Sequence, residues 1–188
     1  DNMAGVLVAG TYRSVATGGG ATMTLRGSPI TEIGTNAVVE LSGVGSVVQV
    51  GATQIESSLT TNNGTLKVLD NRNYTTANAI ANGATVGDAA VLQLGGGTFT
   101  SSSLVNQAGS TIFGFGNITP RPTNHGLIES NGGTLAFASG IQGGSGTVQI
   151  DANSTLDLSA GSMDSSADFL IHNGNTAASL NLGANNFI

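Results

Sequence analysis

The sequence predicts an all-β fold, a right-handed parallel β-helix (β-solenoid) of roughly eight coils, and three observations lead there. Short runs recur in which a small turn residue precedes Thr and then apolar residues at every second position. They are Asn63-Gly64-Thr65-Leu66-Lys67-Val68, Gly97-Thr98-Phe99-Thr100, Gly133-Thr134-Leu135-Ala136-Phe137, Gly146-Thr147-Val148-Gln149-Ile150 and Ser154-Thr155-Leu156-Asp157-Leu158. Equivalent positions such as Leu135 and Leu156 return 21 residues apart with another strand between them, which is the spacing of one coil rather than of a hairpin. No stretch carries a sustained helical stripe: residues 77–90 are Ala-rich, but Asn82-Gly83 and Gly87 interrupt them.

Taken in chain order, Ala4-Gly5-Val6-Leu7-Val8-Ala9 opens as a strand-forming apolar run. Over residues 1–60 the segments 17–21 and 43–51 permit more than one register. From residue 60 onward the period of two points Leu66, Val68, Leu135, Phe137, Val148, Ile150, Leu156 and Leu158 inward and Lys67, Ala136, Gln149 and Asp157 outward. Asn62-Asn63-Gly64, Asn82-Gly83, Gly95-Gly96-Gly97, Asn131-Gly132-Gly133 and Asn173-Gly174 are read as corners, because Asn and Gly tolerate positive φ. Stacked coils then place Val, Leu, Ile, Thr and Asn in ladders about 4.8 Å apart. Residues 1–188 read as one solenoid domain or a piece of a longer chain. Two of the three prolines fall within 119–126, which is expected to leave the coil as a stiff protruding loop.

Composition removes several classes of function. Charged residues are 9% of the chain, and five Lys and Arg in 188 residues cannot neutralise a row of phosphates, so nucleic acid is excluded as a partner. The same scarcity, a net charge of -6 and the lack of any apolar run near 20 residues argue against membrane insertion. Aromatic residues are only 4%, so the core must be aliphatic and thin. With no Cys there is neither a thiol nucleophile nor a cysteine zinc site.

The stretch from Phe113-Gly-Phe-Gly-Asn-Ile-Thr-Pro through Asn124-His-Gly-Leu-Ile-Glu-Ser-Asn-Gly-Gly-Thr-Leu135 to Ser145-Gly-Thr-Val-Gln-Ile-Asp-Ala-Asn-Ser-Thr-Leu-Asp-Leu158 resembles the repeat blocks of bacterial autotransporter passengers and related large surface adhesins. The resemblance covers about residues 60–160. It implies an extracellular parallel β-helix exported by a diderm bacterium. That fold hosts adhesins, protease stalks, polysaccharide lyases and phage tailspikes, so it specifies architecture rather than activity.

Recognisable catalytic and cofactor motifs are broken or missing. Gly143-Gly144-Ser145-Gly146 begins a calcium-binding nonapeptide, but Val148 stands where its Asp belongs. Gly18-Gly19-Gly20 and Gly95-Gly96-Gly97 lack the Lys and following helix of a phosphate loop, and no serine sits in a nucleophile elbow. Eleven carboxylates are mostly isolated; Asp151 with Asp157, and Asp164 with Asp168, are the pairs that adjacent coil edges could bring together. His125 and His172 are too far apart to form a motif by spacing and read as surface turn residues. No metal or cofactor is expected.

Ligand binding, if the chain has it, is placed on Arg121, Asn124 and His125 in the proline-bearing segment. Self-assembly is placed on Val6, Leu7 and Val8 at one end and on Phe187 and Ile188 at the other, since a solenoid exposes unpaired backbone at its end coils and no cap is legible. The expected function is therefore structural and adhesive: a secreted solenoid at a bacterial cell surface, building a layer, fibre or biofilm matrix. Its expected partners are copies of itself stacked end to end, or adjacent coils of a longer chain, and surface glycans. A carbohydrate-active β-helix of the lyase or tailspike type is the second reading, and an inert stalk the third.

Overall fold

A computed structural model describes residues 2–163, 168–171 and 177–183. It is a β-solenoid of about 7 turns, nearly all strand. The one helix among the described residues is the single turn Ile55–Ser58. Successive rungs are Val6–Val15, Glu32–Ser42, Thr65–Leu69, Val91–Thr100, Thr111–Ile118, Leu127–Phe137, Thr147–Ile150 and Asp168–Ile171, each paired parallel with the next. Eight stacked rungs enclose seven turns, which is where the expectation of eight coils and the structure part. One column of this ladder reads Thr11, Val38, Thr65, Val91, Thr111, Leu127, Thr147 and Asp168. The early coils are therefore longer than the later ones, and the coil closing between Thr111 and Leu127 is the shortest.

The inward residues expected from the period of two are buried: Leu66, Val68, Leu135, Phe137, Val148, Ile150, Leu156 and Leu158 all lie in one continuous core. Leu135 pairs directly with Leu156, one coil apart. Aromatic residues serve this core sparingly but at one place together, where the rings of Tyr74 and Phe99 stack with centroids 5.0 Å apart and planes 7° from parallel. The register left open over residues 1–60 is settled by Ala21–Leu25 pairing parallel with Ser46–Val50. Those two strands form a separate three-stranded sheet with Thr53–Gln54.

Four corner assignments change. Asn62 and Asn82 are not corner residues exposed to solvent. They point inside, where Asn62, Asn82, Asn106 and Asn124 occupy one column of parallel-paired strands. The glycine runs 95–97 and 131–133 likewise lie inside the strands Val91–Thr100 and Leu127–Phe137, and register shifts beside Gly95 and Gly114 bend the ladder there. Asn173-Gly174 lies outside the described residues.

The expected protrusion of 119–126 is also replaced. Pro120 and Pro122 are buried, and Thr123–Asn124 pairs with Val105–Asn106 in the ladder. The prolines are accommodated because they stand just before that short strand, where no ladder N–H is required of them.

Candidate functional site

The interior asparagine column is built by donation in one direction. Asn62 Nδ2 donates to Asn82 Oδ1 at 2.7 Å, Asn82 Nδ2 to Asn106 Oδ1 at 2.8 Å, and Asn106 Nδ2 to Asn124 Oδ1 at 2.8 Å. Each amide also donates to a backbone carbonyl: Val91 for Asn62, Thr111 for Asn82, Leu127 for Asn106 and Thr147 for Asn124. A primary amide has two N–H donors, and this arrangement uses both. The column starts below Ile33, which has nothing to donate, so Asn62 Oδ1 has no hydrogen-bond partner. It stops above Gly144, where a side chain would collide with the Asn124 carbonyl.

Asn124 is thus 0% exposed and committed to the column, so it is unavailable to a ligand. Arg121 is exposed, and His125 is half-buried beside a shallow groove of about 490 Å³ lined with Ser110, Thr111, Leu127 and Thr147. The three residues expected to form one binding site therefore do not converge. His172 and Asp164 lie outside the described residues, and Asp157 turns back to accept a hydrogen bond from its own Ser159 N–H at 2.8 Å.

At the first rung, Val6 is half-buried, Leu7 belongs to the core and Val8 is exposed. Phe187 and Ile188 lie outside the described residues. Asn2–Met3 folds back antiparallel over Val6 and Leu7 through a tight turn at Ala4 and Gly5, both at positive φ. Among the described residues no strand pairs with the outer edge of Val6–Val15 beyond that point, nor with the outer edge of Ala21–Leu25. Tyr12, Met23 and Leu25 pack against the end of the core there, and Tyr12 and Leu25 line a cleft of about 420 Å³ with Asn2, Arg26 and Gly27. Exposed large apolar residues gather at both ends of the ladder, with Met3, Val8 and Val15 at the first rung and Leu170 and Ile171 at the last. In the sequence all five Lys and Arg, and six of the eleven carboxylates, lie at or before Arg121, and Glu129, Asp151, Asp157, Asp164 and Asp168 follow it.

A second constellation lies on the flank of the middle coils, and the acidic pairs expected from sequence did not include it. Asn131 Nδ2 donates to Glu129 Oε1 at 3.1 Å and to Asp151 Oδ2 at 2.8 Å, while Gln149 Nε2 donates to Asp151 Oδ1 at 2.7 Å. Partial burial, with added charge from Asp151, holds the Glu129 carboxyl above the usual carboxylate range, against the pull of the Asn131 hydrogen bond. Beside this pair runs a groove of about 300 Å³ lined by Asp70, Gln93, Phe113, Phe115, Asn131 and neighbouring glycines. The signal for it was the phase of Thr111–Ile118: with Ile112 inward, Phe113 and Phe115 must both point outward.

A third cluster is internal. Arg72 donates through Nε to the Ser46 carbonyl at 3.0 Å, and its Nη2 forms an ion pair with Glu56 Oε1. Glu56 Oε2, Ser46 Oγ and the Tyr74 hydroxyl are buried nearby without a hydrogen-bond partner. Burial, then the Glu56 carboxylate, push the Tyr74 phenol far above its ordinary value, so it stays protonated.

Among the described residues no three His, Asp or Glu side chains gather as metal ligands, and no helix is long and apolar enough to cross a membrane. Comparison with known proteins found no matching family model, no matching curated protein and no matching solved structure.

Proposed function

We propose that this chain is a structural and adhesive β-solenoid of a bacterial cell surface, and that it stacks end to end into a fibre. The observation that carries the reading is the first rung. Among the described residues no further strand pairs with the outer edge of Val6–Val15 beyond Asn2–Met3, exposed Met3, Val8 and Val15 flank that edge, and an edge strand of that kind is a template for another strand. A second copy fits it because the last described rung offers exposed Leu170 and Ile171 as an apolar counterpart. Addition of one rung to another continues the existing parallel register, and it removes apolar surface from water at both ends.

Electron microscopy and sedimentation over a range of concentrations test this, at low and high salt. Filaments one solenoid wide that lengthen with concentration, and lengthen further as salt screens the net charge of -6 on each copy, are expected. Discrete single particles at the highest concentration in both salts would remove the stacking reading.

A polysaccharide-cleaving enzyme is a second reading, favoured by Glu129 and Asp151 beside an aromatic groove. A glycosidase pair needs open space between its carboxyls for the sugar oxygen and water, and Asn131 occupies that space here. A reducing-sugar assay on neutral and acidic polysaccharides is expected to show no release; release abolished by Glu129→Gln would establish the enzyme instead.

A further inference from the structure

We infer that the flank groove beneath Phe113 and Phe115 is a saccharide-binding site that takes a neutral or amino-bearing sugar ring of a polysaccharide. The position of these rings is the starting point. In their outward column the neighbours of Phe113 are Gln93 and Glu129, and the same column elsewhere holds Arg13, Glu40, Lys67 and Gln149, with Leu170 at its far end. Polar residues are what an outer face calls for, and an exposed aromatic breaks the pattern without adding to the core. Phe115, the next outward residue, is 38% exposed, whereas Tyr74, Phe99 and Phe137 are buried in the core.

Glycines flank the ring of Phe115. Gly95 is the register partner of Phe115 on one side, and on the other Gly132 and Gly133 run beneath the ring. A Cβ on Gly133 would stand 3.1 Å from Phe115 Cβ, so only backbone fits against the base of the ring there. Two glycine runs that would otherwise weaken strands at this point open a groove instead. Its volume of about 300 Å³ is at the small end for ligand sites, the scale of a sugar unit rather than of a folded partner.

The polar rim selects the chemistry. A pyranose has an apolar C–H face that lies on an aromatic ring and an edge of hydroxyls that must find partners. Gln93, Asn131 and Asp70 supply amide and carboxylate groups at the rim. No Lys or Arg lines the groove, and Asp70, with Glu129 and Asp151 alongside, makes it electronegative, so uronates and sulfated sugars are repelled. A peptide adding as a strand has no open edge here, because the rungs on both sides are already paired. The groove lies on the middle coils, away from the ends where stacking is proposed, so its loss leaves assembly intact.

Saturation-transfer NMR with three probes tests the assignment: cello-oligosaccharides, chitosan oligomers and oligogalacturonate. Transfer to at least one of the first two and none to oligogalacturonate is expected. Phe115→Ala is expected to weaken that binding about tenfold while circular dichroism and filament formation stay as in the wild type. Gln93→Ala, which leaves both rings in place, is expected to weaken it severalfold, and Val86→Ala, on an exposed turn that contributes no residue to the groove, not at all. Binding of none of the three probes, equal binding of oligogalacturonate, or unchanged affinity in both Phe115→Ala and Gln93→Ala overturns the inference.

Discussion

Asn82 donates one N–H to Asn106 Oδ1 at 2.8 Å and the other to the Thr111 carbonyl at 3.0 Å, so a single buried side chain ties together two coils and two faces of the solenoid. It also accepts from Asn62, giving the column a direction in which each amide polarises the next. Removing it with Asn82→Leu takes one hydrogen bond each from the Asn62 amide, Asn106 Oδ1 and the Thr111 carbonyl. The expected loss is roughly 3–5 kcal/mol, summed from about 1–3 kcal/mol for each buried group deprived of a partner and reduced for relaxation. Asn62→Leu removes an oxygen that already lacks a partner, so it is expected to cost less. Urea unfolding of the two variants checks the ranking, and an equal or larger loss for Asn62→Leu would contradict the column as described.

The ion pair of Glu56 with Arg72 makes a prediction about pairs rather than single residues. Arg72→Met leaves the Glu56 charge buried without compensation, and about 3–5 kcal/mol of stability is expected to go with it. The double variant Glu56→Leu with Arg72→Met is expected to be more stable than Arg72→Met alone, because both desolvated charges are then gone. A double-mutant cycle by chemical denaturation reads this directly, and a double variant worse than the single one would show that the charges are needed for more than each other.

Gly114 and Gly51 separate two costs of adding a methyl group. Gly114 has φ 114° and its Cβ would fall 1.9 Å from the Leu94 carbonyl oxygen in the adjacent rung, so Gly114→Ala must break the ladder there. Gly51 has φ 57° and open space around it, so Gly51→Ala bears only the left-handed strain of about 1–2 kcal/mol. Thermal unfolding is expected to show a mild shift for Gly51→Ala and loss of the cooperative transition, or a far larger shift, for Gly114→Ala.

Glu129 gives the pH dependence. Its folded carboxyl holds its proton more tightly than the unfolded one, through partial burial and then the nearby Asp151 charge. Such a group contributes stability that is fully present below its unfolded value and is lost as pH rises through the folded value. Glu129→Gln is therefore expected to be more stable than the wild type at neutral pH, with the gap closing on acidification below the usual carboxylate range. Denaturation midpoints across that range measure it, and a gap that widens on acidification would reverse the sign.

Asp88 has the opposite sign. Its Oδ2 accepts from the Thr85 N–H at 2.8 Å and the Ala84 N–H at 2.9 Å, and chiefly the Thr85 backbone bond holds its carboxyl below the usual range. The order it lends to its exposed turn is present above the unfolded value and is lost as pH falls through the folded one. Amide exchange at Ala84 and Thr85 is expected to gain protection when pH is raised out of the acid range, after correction for intrinsic rates, and Asp88→Ala is expected to abolish that gain.

The coil was legible because burial on one face imposes a period of two, and that period survives in a single sequence at Leu66, Val68, Val148 and Ile150. Pairing of Leu135 with Leu156 followed from spacing alone. The asparagines were misread for a physical reason: a side chain that suits a corner by its tolerance of positive φ also stacks on copies of itself when parallel coils bring those copies into line, and local preference does not tell the two apart. Within the expected binding segment Asn124 was misread the same way, since it looked like a turn residue and is a rung of the column.

By itself the sequence determined that this is a repeating, thin-cored β structure of neutral polar surface, because alternation and composition are properties of the chain read in order. Only the tertiary structure decided which residues meet between coils. Contacts between Glu129 and Asp151, or between the ring of Phe115 and the backbone of Gly133, depend on the exact number of residues in each turn of the coil, and a shift of one residue would send every side chain of a rung to the opposite face.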